Sequence, residues 1–284
     1  MRFAENPLVE EAVTHRIFGG PAAALLAAHL LLLTAVILLS WPRPAPAETL
    51  LLGVTPRTYR SALLLAFLSL AFINAFLDTP RLRGRGGYSH GQWLRLSPVG
   101  LASFFGGKLT AMLMQTVLLT AVTLPLLTAA AAVSGAGLTD VSMAGAAILL
   151  FTFTYRVMGF SLALAFENRP LVLAILDTAI LLAVLFGSAA VAPASNPIVV
   201  LAGIESEDTL LFQNLLLTGT PASRLLSSWV LHAVLFAVFF VAAVLYGRRA
   251  RKTQKVYSGA GPRGRAGTGG TTERHSGRHD ETSA

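Results

Sequence analysis

The chain has 284 residues, of which 54% are hydrophobic and only 13% are charged. Soluble domains carry about a quarter charged residues, and here the apolar residues fall in separate blocks of membrane-spanning length, which excludes a single soluble domain. The formal net charge of +8 lies mostly in short stretches beside those blocks, which indicates membrane topology rather than binding to nucleic acid. The absence of cysteine from the sequence excludes disulfides, thiolate metal sites and cysteine nucleophiles.

The first element, within residues 1–20, is predicted to be a short amphipathic helix. Asn6 is a good N-cap, and Pro7 suits the first helical position. Residues 8–17 place apolar side chains on one face and acidic and polar side chains on the other. The segment is too short and too polar to span a membrane, so we expect an interfacial helix on the cytosolic surface.

Hydropathy then predicts an all-α, polytopic membrane domain over residues 21–247. Its six transmembrane helices are predicted at about 21–41, 59–77, 107–133, 143–165, 170–192 and 226–247. Lys108 lies at the mouth of the third span, where we expect it to extend toward water and anionic lipid. Pro125 is expected to kink the same span.

Two further segments lie on either side of the sixth predicted span. Residues 193–228 contain apolar runs too short to span, so we expect short re-entrant or interfacial helices there. The acidic group Glu205, Glu207 and Asp208 is expected to lie in a solvated outer loop. The basic segment 248–284 is predicted to be a disordered cytosolic tail.

The distribution of positive charge predicts the orientation of these spans. With the N-terminus inside, the cytosolic parts contain 17 lysines and arginines and the outer loops contain 4. This asymmetry predicts that both termini are cytosolic. The alternative is that the first apolar run is a signal peptide cleaved near Ala45-Pro46-Ala47, but the run is long and its preceding region is acidic, which favours a retained span.

Two motifs that suggest chemistry fail on inspection. A phosphate-binding loop needs a glycine six residues before Lys108 and a serine or threonine after it, but those positions hold Ala102 and Leu109. Ser161 and His232 suggest the catalytic pair of a rhomboid-type intramembrane protease. Their predicted depths differ by about 15 Å, which is far beyond hydrogen-bonding distance, so we predict no catalytic, cofactor or metal site.

Polar residues inside the predicted spans are costly and often functional. Arg156 and Asp177 are predicted near the middle of two adjacent antiparallel spans, and we expect a buried ion pair that either fixes helix register or contributes to a substrate or ion site. His29, Asn74 and Gln115 are expected to form hydrogen bonds between helices.

Several of these elements together resemble the ABC-2 type permeases, the membrane subunits of bacterial ABC exporters. The similarity rests on the Asn6-Pro7 helix, the segment from Leu94 to Pro98, the entry of Gly107-Lys108 into the third span, and Ser195-Asn196-Pro197 after the fifth span. It covers roughly residues 6–250.

The resemblance implies a six-span half-transporter in the bacterial inner membrane, paired with a second permease copy and driven by separate ATPase subunits. It also implies that residues 91–103 hold a short helix that couples the permease to the ATPase. The positions that would form this coupling region are Trp93, Leu94, Arg95, Leu96, Ser97, Pro98 and Lys108. The resemblance leaves the substrate open, and a membrane anchor or assembly protein is the alternative function.

Overall fold

The computed structural model describes residues 20–41, 58–78, 92, 94, 100–203 and 221–259. The described part of the chain is built from helices and contains no strand. The predicted interfacial helix at residues 1–20 lies almost entirely outside the described residues, as does the acidic group from Glu205 to Asp208.

Long apolar helices, broken in one place by non-α turns, make up the fold. Their bounds are α1 Gly20–Leu39, α2 Thr58–Phe76, α3 Leu101–Ser134, α4 Leu138–Ala165, α5 Pro170–Leu182, a π-helical turn Ala183–Gly187, α6 Ser188–Val191, a 3-10 turn Pro193–Ser195, α7 Pro197–Gly203 and α8 Pro221–Gly259.

Five helices of the described chain are long and apolar enough to cross a membrane. They are Thr58–Phe76, Leu101–Ser134, Leu138–Ala165, Pro170–Val191 and Leu226–Lys252. The apolar part of α1, Ala23–Leu39, is shorter. The predicted all-helical fold is therefore confirmed, with five helices able to span a membrane by length and composition, and the count of six stays a prediction.

Helix α4 is the centre of the bundle. Most residues in its most apolar stretch are buried inside the protein, whereas most residues in the corresponding stretches of α5 and α8 are not. It packs against α2, α3, α5 and α8. The residues around it therefore sit in the best-packed part of the molecule.

One end of the bundle collects the positive charge. Here α2 and α4 end, α3 and α5 begin, and α8 continues through Arg248, Arg249, Arg251 and Lys252. We call this the basic end.

Several helices extend beyond the predicted spans, and two of these extensions lie at the basic end. α3 begins at Leu101 instead of residue 107, because Gly106 and Gly107 lie within the helix and do not interrupt it. α8 continues to Gly259, so residues 248–259 are helical and not part of a disordered tail. Residues 248–258 contain no proline or glycine and are rich in arginine and lysine, which favour helix.

The fifth span is interrupted near its end. The π-helical turn Ala183–Gly187 is wider than an α-turn. The side chain of Asn196 donates to the carbonyl oxygen of Leu185 at 2.7 Å and to Ser188 Oγ at 2.8 Å, and its own oxygen accepts the Val199 amide at 2.9 Å. Asn196 thus provides a hydrogen-bond donor for a carbonyl oxygen of the π-helical turn and also caps α7. Helix α7 is one short helix of the kind expected in this segment.

Candidate functional site

Three charged side chains meet inside the basic end, each from a different helix. Asp78 follows the last turn of α2, Lys108 lies two turns into α3, and Arg156 lies on α4. Because these helices alternate in direction, a residue after α2, one near the start of α3 and one toward the end of α4 reach a similar level. We call Asp78, Lys108 and Arg156 the ionic cluster.

The carboxylate of Asp78 bridges the two cations. Lys108 Nζ lies 2.7 Å from Asp78 Oδ1, and Arg156 Nε lies 2.9 Å from Asp78 Oδ2. All three residues are buried, with exposed fractions of 0% for Asp78, 1% for Arg156 and 6% for Lys108. The ring of Phe160 adds a cation–π contact, with its centroid 5.5 Å from Lys108 Nζ.

Polar side chains continue from the ionic cluster into the bundle. Arg156 also donates to the side-chain oxygen of Gln115 on α3. Asn74 lies about one helical turn before Asp78 in the sequence, and its side-chain oxygen accepts a hydrogen bond from the hydroxyl of Thr116 at 2.9 Å. The predicted helix–helix role of Gln115 and Asn74 is confirmed.

Burial makes this arrangement energetically demanding. Removing a charge from water costs several kcal/mol, and only a close, well-bonded partner offsets the cost. The carboxylate of Asp78 places one oxygen beside each cation, so the two ion pairs tie α2, α3 and α4 together at one point. Among the described residues no group of acidic, histidine or cysteine side chains could hold a metal ion.

The predicted ion pair between Arg156 and Asp177 was wrong. Both residues are buried, as expected, but Arg156 pairs with Asp78. The carboxylate of Asp177 on α5 has no hydrogen-bond partner within the described part of the chain. The prediction failed because Arg156 contacts Asp78 after α2 and Gln115 on α3 instead of α5.

The expected exposure of Lys108 was also wrong. Because α3 starts at Leu101, Lys108 lies about 10 Å inside the helix at 1.5 Å per residue. Its ammonium group is held by Asp78 and does not extend to water. The sequence carries a signal for this partner, since Asp78 directly follows a predicted span. Hydropathy, however, places Asp78 outside that span.

Of the seven positions predicted for the coupling region, the structure describes Leu94 and Lys108, together with Gln92 in the same segment. Leu94 is buried in an apolar cluster with Phe104, Phe105, Phe160 and other residues of α3, α4 and α8. The backbone amide of Gln92 donates to Glu167 in the turn after α4, at 3.2 Å. Lys108 belongs to the ionic cluster, and the other predicted positions, Trp93, Arg95, Leu96, Ser97 and Pro98, lie outside the described residues.

Both histidines of the described residues are buried and join helices. His29 of α1 contacts Ser69 Oγ of α2 through Nδ1 at 2.7 Å and Thr123 Oγ1 of α3 through Nε2 at 3.0 Å, which confirms its predicted role. His232 of α8 donates from Nδ1 to the Ser228 carbonyl at 2.7 Å, so its Nε2 accepts from the Tyr155 hydroxyl at 2.9 Å. Both of its nitrogens are therefore engaged by groups other than Ser161.

Comparison of this chain with protein-family models, with curated proteins and with solved structures finds no match. The site must therefore be interpreted from its own geometry.

Proposed function

We propose that this chain is the membrane subunit of an ABC-2 type exporter, driven by a separate ATPase. In this proposal α1 completes a set of six spans, the basic end faces the cytosol of a bacterial cell, and both termini lie inside. A second permease copy completes the translocation path.

The observation that supports the proposal most strongly is the packing of Leu94 beside the ionic cluster. Leu94 shares its apolar cluster with Phe105 and Phe160, whose ring centroids are 6.1 Å apart. Phe160 in turn lies against Lys108. A force on the segment before α3 is therefore transmitted through three contacts to a point that ties α2, α3 and α4.

This arrangement suits a subunit that receives movement from outside the membrane. ATP-driven closure of the ATPase pair would press on residues 91–103 and tilt spans one, two and five, which moves substrate outward. The buried ion pairs would favour one arrangement of the spans until that force is applied.

The test is purification of the full-length tagged chain from its native membranes, followed by identification of co-purifying proteins. We expect a P-loop ATPase without membrane spans, and ATP hydrolysis by the purified complex. The Arg95→Glu variant should recover about tenfold less ATPase, since a reversed interface charge costs at least the 1.4 kcal/mol of a tenfold affinity change.

Arg169→Glu is the matched control. It makes the same charge change at the same end, but on the exposed turn before α5, and should recover the ATPase at wild-type level. Absence of any ATPase, or equal recovery by both variants, would contradict the proposal and favour an anchor or assembly role.

A further inference from the structure

A groove lies between α3 and α8 at the basic end, outside the ionic cluster. It has a volume of about 390 Å³. Its walls are mainly apolar, with Phe105 and Leu109 from α3 and Phe240 and Val244 from α8, and Arg248 lies at one end.

The groove exists partly because position 106 has no side chain. Gly106 lines it, and a Cβ atom built there would have no atom within 4 Å. Elsewhere these helices approach closely: a Cβ on Gly247 would lie 2.9 Å from the ring of Phe105. The two helices therefore touch at Phe105, whose ring also meets the ring of Phe240 edge-on with centroids 6.2 Å apart, and the gap lies beside this contact at Gly106.

The charged residues that follow the groove on α8 are all positive. Arg248 is exposed and begins a run in which Arg249, Arg251 and Lys252 follow on the same helix. From Arg248 back to Phe240 is eight residues, or about 12 Å along the helix. A guanidinium group therefore lies at one end of a narrow apolar slot that runs toward the middle of the span.

We infer that this groove binds one anionic phospholipid, with an acyl chain lying along Phe105, Leu109 and Phe240 and the phosphate group on Arg248. Apolar walls recognise the chain, and guanidinium binds phosphate with two parallel hydrogen bonds. Basic pockets between spans at the cytosolic side bind such headgroups. The inference requires the basic end to lie at a membrane surface, but it is independent of any ATPase.

The experiment measures the melting temperature of the full-length protein in detergent as lipid is added. Phosphatidylglycerol is compared with phosphatidylcholine of identical acyl chains, and native mass spectrometry counts the lipids bound. We expect phosphatidylglycerol to raise the melting temperature with one tightly bound molecule, because a ligand of the folded state stabilises it. Phosphatidylcholine should have a much smaller effect.

Arg248→Gln should weaken the apparent affinity for phosphatidylglycerol about five- to tenfold, since one basic residue near a lipid surface contributes a factor of this size. Arg249→Gln is the matched control: the same charge is removed from the next, equally exposed residue, which does not line the groove, and affinity should stay at the wild-type value. Gly106→Phe should fill the groove and abolish the response without changing any charge.

Three results would overturn the inference. Equal stabilisation by phosphatidylcholine would mean an unselective lipid layer. Equal loss in Arg248→Gln and Arg249→Gln would mean diffuse attraction to the basic helix. Stabilisation by inorganic phosphate alone, without lipid, would mean a simple anion site. Because the lipid is added to the isolated chain, failure here leaves the test of the ATPase partner unaffected.

Discussion

Asp78 is the residue on which the basic end depends, because one carboxylate contacts two buried cations. Both of its oxygens are used, one by Lys108 and one by Arg156. Removing one partner of a buried ion pair is far more damaging than replacing the whole pair, since the remaining charge stays buried.

Replacement of Asp78 by asparagine should destabilise the protein by about 3–5 kcal/mol, the typical cost of breaking a buried ion pair. Asparagine keeps the size of the side chain but not its charge, so Lys108 and Arg156 lose their carboxylate. The measurement is the free energy of unfolding in mixed detergent, or the melting temperature of the purified protein.

Asp177→Asn provides the control, since it makes the same change at an equally buried aspartate. Asp177 has no hydrogen-bond partner within the described residues, so loss of its negative charge should leave stability unchanged or raise it. A larger loss from Asp177→Asn than from Asp78→Asn would show that the ion pairs of Asp78 do not hold the basic end together.

Helices α2 and α4 approach each other closely at Gly159. A Cβ atom at this position would overlap the backbone carbonyl of Ala75 on α2. Small residues at helix interfaces allow this approach, which packs well in membranes where hydrophobic attraction between helices is absent. Gly159 and Ala75 are each three residues from a member of the ionic cluster, Arg156 and Asp78 respectively.

Gly159→Ala should therefore destabilise the protein by about 1–3 kcal/mol, because one added methyl group forces the two backbones apart. The melting temperature and the gel-filtration profile report this loss. Gly106→Ala tests the same chemical change in a helix with open space around it, and should be neutral or slightly stabilising since alanine favours helix. Similar losses from both substitutions would mean that the α2–α4 contact is not responsible.

The sequence was sufficient to predict the central part of each span, but not the residues at which its helix begins and ends. Long apolar runs dictate helices in a membrane because every backbone polar group must be bonded internally, so α2 and α4 begin or end close to their predicted limits. The N-terminal extension of α3 and the long basic end of α8 were missed, since hydropathy reports where lipid contact stops and not where helical hydrogen bonding stops.

Side-chain partners in the site were less predictable for a different reason. The pairing of Arg156 depends on which face of α4 meets which neighbour, and span order alone does not define that rotation. The π-helical turn and its satisfaction by Asn196 likewise depend on a residue 11 positions away from Leu185. In the sequence Asn196 stands out only as part of an Asn-Pro segment. Its hydrogen bond to the π-helical turn becomes visible only once the helices are packed.

At the scale of the whole molecule, the absence of cysteine offers a direct test of topology. Single cysteines can be introduced at exposed positions: Thr139 at the start of α4, Asn168 after α4, and Lys252 on α8. If the basic end faces the cytosol, a membrane-impermeant maleimide should label Thr139→Cys in intact cells. Asn168→Cys and Lys252→Cys should be labelled only after permeabilisation, as the positive-inside rule requires.

Labelling of Asn168→Cys or Lys252→Cys in intact cells would invert this orientation. Different results for these two positions would mean that an odd number of spans separates them. The cysteine-free parent chain provides the background, and denatured samples confirm that each introduced thiol can react.

The close approach of Gly159 to Ala75 also limits how the spans can move relative to one another. With no side chain between the two backbones and ion pairs one turn away, α2 and α4 have no freedom to slide along their common axis and will translate as one rigid body. In the proposed transporter, a movement that tilts α2 would therefore have to carry α4 with it. Helices that slide past one another during a transport cycle would then be α1, α5 or the groove side of α8. The bundle would have fewer independently moving parts than it has helices.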